Sequence, residues 1–195
     1  MKMRRFATSL LAVTVVSTLA MPAASAATDP TDISLTGGDL TATTPTVGDF
    51  AAVTLDGTAK STTAAMGTWD VTDARGTGLG WNLTFQATQF AEWDSTLNAG
   101  AGGYVTGGKK LAASSLKMPV PSVLADGTLS ALPTILTGPY TLDSGSAVKV
   151  ASAALDAGMG NYDFTPGGSL TLTVPANAYA RTYRSEVTVS VVSGP

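Results

Sequence analysis

Between Asp70 and Phe85 the chain reads DVTDARGTGLGWNLTF, where three large apolar side chains, Trp81, Leu83 and Phe85, are separated by single polar residues. A period of two puts all three on one face of a strand; a helix would scatter them around its circumference. Trp69 and Val71 show the same alternation just upstream. Gly76, Gly78 and Gly80 lie between the two runs and supply the positive φ that a tight loop needs. The spacing predicts a hairpin whose returning strand buries Trp81, Leu83 and Phe85. Asp73 is expected to accept hydrogen bonds from backbone amides at the loop entrance, and Arg75 to reach a carboxylate or carbonyls across it. A ligand-facing role for Asp73 and Arg75 is the alternative reading.

The same pattern recurs along the chain. Leu170, Leu172 and Val174 alternate with threonines before Pro175-Ala176-Asn177 breaks the run, and Val187, Val189 and Val191 alternate near the end. These two segments predict a terminal antiparallel hairpin. Val53 and Leu55 precede the turn dipeptide Asp56-Gly57. The segment 147–155, AVKVASAAL, reads as a strand, although its alanines would also allow a helical turn. Residues 98–108, NAGAGGYVTGG, read as a surface loop, and the four prolines between Met118 and Pro139 limit that region to extended pieces, turns or an edge strand. No sustained helical stripe with caps is present. The expected fold is all-β, a single-domain Greek-key-like sandwich.

The first residues, MKMRRFATSLLAVTVVSTLAMPAASA, combine a cationic start, an apolar run and small residues around Ala24-Ser25-Ala26, the layout of a removable export signal. Two segments are therefore expected, a secretion signal over 1–26 and a folded domain over 27–195. The apolar run is too short to span a bilayer, so no membrane insertion is expected once the signal is cleaved. Beyond Ala26 there are eight Lys and Arg against fourteen Asp and Glu, a net charge of −6 compared with −3 for the whole chain. A surface of that sign repels a polyphosphate, which argues against nucleic acid as a partner. The absence of cysteine removes disulfides, thiol catalysis and thiolate metal sites. The absence of histidine removes serine–histidine triads, imidazole proton shuttles and the usual zinc sites.

The segment from Trp69 through Asp73, Arg75 and Gly80 to Trp81-Asn82-Leu83 resembles the proximal signature of WxL-domain proteins of Gram-positive bacteria. The run Leu170–Ala176, followed by Tyr183 and a closing strand to Pro195, resembles that domain's C-terminal part. The resemblance covers about Ile33 to Pro195, with Trp81 and Leu83 as the motif residues. At the position of the family's second Trp-x-Leu, this chain carries Val189 and Val191. The resemblance implies an exported, non-catalytic module held non-covalently at the cell surface by the wall, with peptidoglycan or a companion surface protein as partner. No cofactor and no metal are implied. With no sorting signal before Pro195, attachment is expected through the domain itself or through a partner.

Trp81 has two readings, a stacking platform for a sugar or partner and a core residue packed with Leu83 and Phe85. The core reading is favoured for Trp81 and likewise for Trp69, and it requires a buried acceptor for the indole N–H. Trp93, flanked by Glu92 and Asp94, is the better exposed candidate, joined by Tyr104 from the glycine-rich segment. Asp70 and Asp73 are three apart and point to opposite faces of a strand, so they cannot flank a glycosidic bond. Glu92 and Asp94 share a face, but nothing places them in a cleft, and no Asp-x-Asp-x-Asp-Gly loop suggests calcium. No catalytic residue is expected. A structural subunit that assembles by strand addition, through the apolar terminal strand, is the alternative function.

Overall fold

The computed structural model describes residues 31–195, so the export-signal reading of residues 1–26 lies outside the described residues. Residues 31–34 carry no regular structure, and residues 35–195 form one compact unit. Its strands are β1 (Leu40–Ala42), β2 (Lys60–Ala64), β3 (Trp69–Asp73), β4 (Trp81–Ala87), β5 (Ala91–Asp94), β6 (Gly103–Tyr104), β7 (Leu116–Met118), β8 (Ser122–Asp126), β9 (Thr134–Ile135), β10 (Tyr140–Thr141), β11 (Val148–Ala153), β12 (Gly160–Thr165), β13 (Leu170–Val174), β14 (Tyr183–Arg184) and β15 (Val187–Ser193). One 3-10 turn, Asn98–Gly100, interrupts them. No helix among the described residues is long and apolar enough to cross a membrane.

Every ladder is antiparallel. The sheets run β1-β3-β12-β8, β10-β7-β13-β2, β15-β4-β11-β9 and a small β14-β5-β6. The all-β sandwich expected from the alternating pattern is thus present. Its centre is aromatic. From β3 and β12, Trp69 and Phe164 stack 5.5 Å apart, and Trp69 meets the edge of Phe85 of β4 at 5.1 Å. Trp81 of β4 leans on Tyr162 of β12 at 6.3 Å. These rings lock the sheet holding β3 and β12 against the sheet holding β4, in the offset and edge-on geometries that aromatic pairs prefer.

Two predicted hairpins are not formed. β3 pairs with β1 and β12, whereas β4 pairs with β15 and β11, so the Gly-rich segment crosses from one sheet to the other. Both strands do bury alternate residues, and because their inward faces look at each other across the core, the alternation is the same as a hairpin's. Likewise β13 pairs with β2 and β7, not with β15. The proline-bearing region behaves as predicted, since β8 and β9 are the outer strands of their sheets. The segment 147–155 is strand, and a register shift between Lys149 and Ala151 lets Val150 and Ala151, adjacent in sequence, both be buried. Within residues 98–108, Gly103–Tyr104 join β5 as a short strand, a departure from the expected loop. The close approach is possible because a Cβ at Gly102 would strike the Trp93 ring.

On the outer face of the β3–β12 ladder, Asp70 lies directly opposite Asp163. Partial burial, with the Asp126 and Asp70 carboxylates nearby, raises the Asp163 pKa above the usual carboxylate value. A raised acid pKa means that the charged form costs stability above the folded value, and that the cost vanishes below the unfolded one. Asp163→Asn should therefore raise the melting temperature at neutral pH. The gain should fade as pH falls through the carboxylate range, which paired thermal melts would reveal.

Candidate functional site

The residues singled out from the sequence fall into three places. Trp81 and Leu83 are fully buried. The Trp81 indole N–H donates to the Gly158 carbonyl at 2.8 Å, the buried acceptor that a core position requires. Gly158 has φ +72° and its missing Cβ leaves the space that Trp81 Nε1 occupies, since an added carbon would lie 2.7 Å from that atom. Val191 and Val189 of β15 sit opposite Leu83 and Phe85 of β4. The two motif segments are thus neighbours in one sheet, and their side chains pack against the core.

Asp73 and Arg75 form a clasp at the crossing between sheets. Arg75 donates from Nε and Nη2 to the two oxygens of Asp73, each at 2.8 Å, and the Arg75 amide donates to Asp73 Oδ1 at 3.2 Å. Nη2 also donates to the Gly80 carbonyl at 2.9 Å, and Nη1 to Ser193 Oγ at the end of β15. The Asp73 side chain is 1% exposed and that of Arg75 15%. Hydrogen bonds from the Arg75 side chain hold the Asp73 carboxyl below the usual carboxylate range, and the same contact raises the guanidinium. The backbone follows the expected glycine conformation, with Gly76, Gly78 and Gly80 all at positive φ. At Gly80 a Cβ would also collide with the Ala153 carbonyl. Four of the five guanidinium N–H groups are thus used within the protein.

Trp93 and Tyr104 are brought together on the small sheet, away from that clasp. They face each other across the β5–β6 pair, rings edge to face with centroids 5.1 Å apart. The Arg184 guanidinium of β14 lies 3.7 Å from the Trp93 ring centroid, so Trp93 is half-buried rather than freely exposed. Tyr104 remains 40% exposed, and its hydroxyl donates to Glu186 at 3.2 Å. Burial, with the Glu186 charge beside it, pushes the Tyr104 pKa up. Lys109 lies 4.5 Å from the Tyr179 ring centroid.

Arg184 is the residue that sequence reasoning missed. Its partner Trp93 lies far away in the chain, and only the β14–β5 pairing joins them. The one available signal is charge: Lys109, Lys110, Arg181 and Arg184 all gather here. Glu92 and Asp94, the carboxylates that share a face, serve local structure. Glu92 accepts from the Lys109 amide at 2.9 Å and pairs with Arg181 at 3.2 Å, and Asp94 accepts from the Thr96 amide at 2.8 Å and from its hydroxyl at 2.7 Å. Those contacts with Thr96, the backbone one foremost, lower the Asp94 pKa. Among the described residues no group of three or more acidic side chains could hold a metal ion.

The family model of the WxL domain, described as surface cell wall-binding, matches residues 28–195. No curated protein and no solved structure matches the chain.

Proposed function

Because the chain belongs to the WxL-domain family of surface cell wall-binding domains, we propose that it binds peptidoglycan non-covalently, through the outward face of the small β14-β5-β6 sheet. In this reading residues 1–26 direct export and are removed, residues 27–195 are the binding domain, and no reaction is catalysed. The observation that supports the choice of face is the Arg184–Trp93–Tyr104 assembly. It gathers a cation, a half-buried indole and an exposed phenol on one surface, the side-chain types that dominate recognition sites. Trp81 and Leu83, for all their prominence in the motif, are scaffold. So are Asp73 and Arg75, which satisfy each other.

The mature protein should co-sediment with insoluble peptidoglycan. Trp93→Ala with Tyr104→Ala should lower the bound fraction roughly tenfold, as expected for loss of aromatic anchors, with the melting temperature checked alongside. Retention no better than that of a carrier protein would overturn the reading.

A structural or adhesin subunit that assembles through strand addition is the second reading, and one observation favours it. Among the described residues β15 is seven residues long, is the outermost strand of its sheet and has a ladder with β4 alone, although β1 lies close beside it, so strand addition would use the part of its outer edge that β1 leaves uncovered. Concentration-dependent assembly in light scattering, with no retention on the wall, would favour it.

A further inference from the structure

The register of the small sheet carries more than the reading above, on which the following rests. Ala91 of β5 is paired with Arg184 on one side and with Lys110 on the other. Directly opposed residues of an antiparallel ladder project to the same face. Arg184, Ala91 and Lys110 therefore form one row across the sheet. Trp93, two residues along β5, shares that face, with Tyr104 opposite it. The face points outward, since Tyr183, of the opposite parity, packs toward the core.

At the centre of the row is a methyl group rather than a third large side chain. On the Lys110 side of Ala91 a hollow of about 500 Å³ opens, lined by Ala91, Gly107, Gly108, Lys110, Tyr104 and Glu186; Arg184 flanks Ala91 from the other side, outside that lining. Neither Arg184 nor Lys110 forms an ion pair among the described residues, whereas neighbouring Arg181 is engaged with Glu92. Stacking on Trp93 fixes the plane of the Arg184 guanidinium, which reduces the side-chain freedom lost when its N–H groups meet an anion.

The distribution of charge points the same way. Of the eight Lys and Arg beyond residue 26, four (Lys109, Lys110, Arg181 and Arg184) surround this sheet, against three acids, Glu92, Asp94 and Glu186. Elsewhere among the described residues ten aspartates face four cations. Of the four cations around the sheet, Arg184 and Lys110 lie on the outward face, whereas Arg181 is paired with Glu92 on the other side of the sheet; in an otherwise acidic protein two unpaired cations on one face favour a negatively charged ligand there.

We propose that the hollow over Ala91 binds a free carboxylate on the peptide arms of peptidoglycan. The carboxylate sits between Arg184 and Lys110, a small side chain such as a methyl lies over Ala91, and Glu186 accepts an N–H from the same peptide. The two cations supply the charge-assisted hydrogen bonds, and the alanine supplies the space between them.

The test uses the mature protein on cell-wall sacculi, before and after acid removal of phosphodiester-linked polymers, and on stripped sacculi whose carboxyls have been amidated with a carbodiimide and methylamine. Wild-type protein should bind the stripped wall and lose roughly tenfold or more on amidation. Arg184→Gln and Lys110→Gln should each lose a similar factor on the unamidated wall. Ala91→Glu, which places an acid between the two cations and fills the hollow, should abolish retention while leaving the melting temperature near wild type. If Ala91→Glu fails to fold, the two glutamine variants decide the matter. Undiminished binding to the amidated wall, or wild-type binding by both glutamine variants, overturns the carboxylate site while leaving peptidoglycan binding standing. Binding that disappears when the phosphodiester polymers are stripped, or is absent from every wall preparation, overturns both.

Discussion

Arg75→Ala should lower folding stability by about 3–5 kcal/mol, the usual cost of removing one member of a buried ion pair. The carboxylate left behind at Asp73 is 1% exposed and would lose both its 2.8 Å side-chain contacts. The guanidinium also bridges the start of β4, through the Gly80 carbonyl, to the end of β15, through Ser193. Its loss therefore loosens the crossing between sheets as well. Asp73→Asn in the Arg75→Ala background should recover part of the deficit, because an amide tolerates burial better than an unpaired charge. The pH dependence has a definite sign. Since Arg75 depresses the folded pKa of Asp73, the pair's stabilisation is complete above the ordinary carboxylate range and is lost as pH falls through the depressed value. Urea unfolding curves of wild type and Arg75→Ala should be far apart at neutral pH and draw together in acid. Equal separation at both would show that the ion pair is not the cause.

Trp81→Ala should be comparably damaging, about 3–5 kcal/mol, because a fully buried indole packed on Tyr162 leaves a cavity that the surrounding sheets cannot close. A milder comparison isolates the hydrogen bond. Trp81→Phe strands the Gly158 carbonyl that accepts its N–H. At Trp69, also fully buried, the indole nitrogen has no hydrogen-bond partner. Trp69→Phe should thus cost less than Trp81→Phe, by about 1–2 kcal/mol. Equal losses in denaturant melts would mean that the bond to Gly158 contributes nothing.

These two tryptophans also show how much of the fold the sequence carries. Alternation at Trp69–Val71 and at Trp81–Leu83–Phe85 reports which face is buried, and it did so correctly. It is silent on which strand lies alongside. Two strands joined by a glycine-rich loop look the same in sequence whether they pair in one sheet or face each other across a core, so the β3–β4 hairpin was predicted where a crossing exists. The bulge in β11 is a related case: Val150 and Ala151 break the period of two only because the register shifts between them.

The candidate site was legible one residue at a time. Trp93 stands out by its polar flanks and Tyr104 by its place among glycines, but the sequence does not put them together, nor does it bring Arg184 onto the indole. That requires β14 to pair with β5, a contact between distant segments with no local signature. Asp73 as an acceptor of a loop amide and Arg75 as a donor to a carboxylate and a carbonyl are both legible in the sequence, but not that the carboxylate is Asp73 itself. What the sequence lacked was their depth, which comes from the packing of β3, β4 and β15 around them.

The ladders that build the three four-stranded sheets join distant parts of the chain: Phe85 with Val189, Val71 with Tyr162, Thr62 with Leu172. β4 acquires one of its two neighbours only when the final strand arrives, so no early portion of the polypeptide can complete the core. Loop closure on this scale precedes any reward from contact, which makes for slow acquisition of the native state. Under the export proposed for residues 1–26, that delay would be useful: the chain would remain translocation-competent inside and mature only after its last residues had emerged.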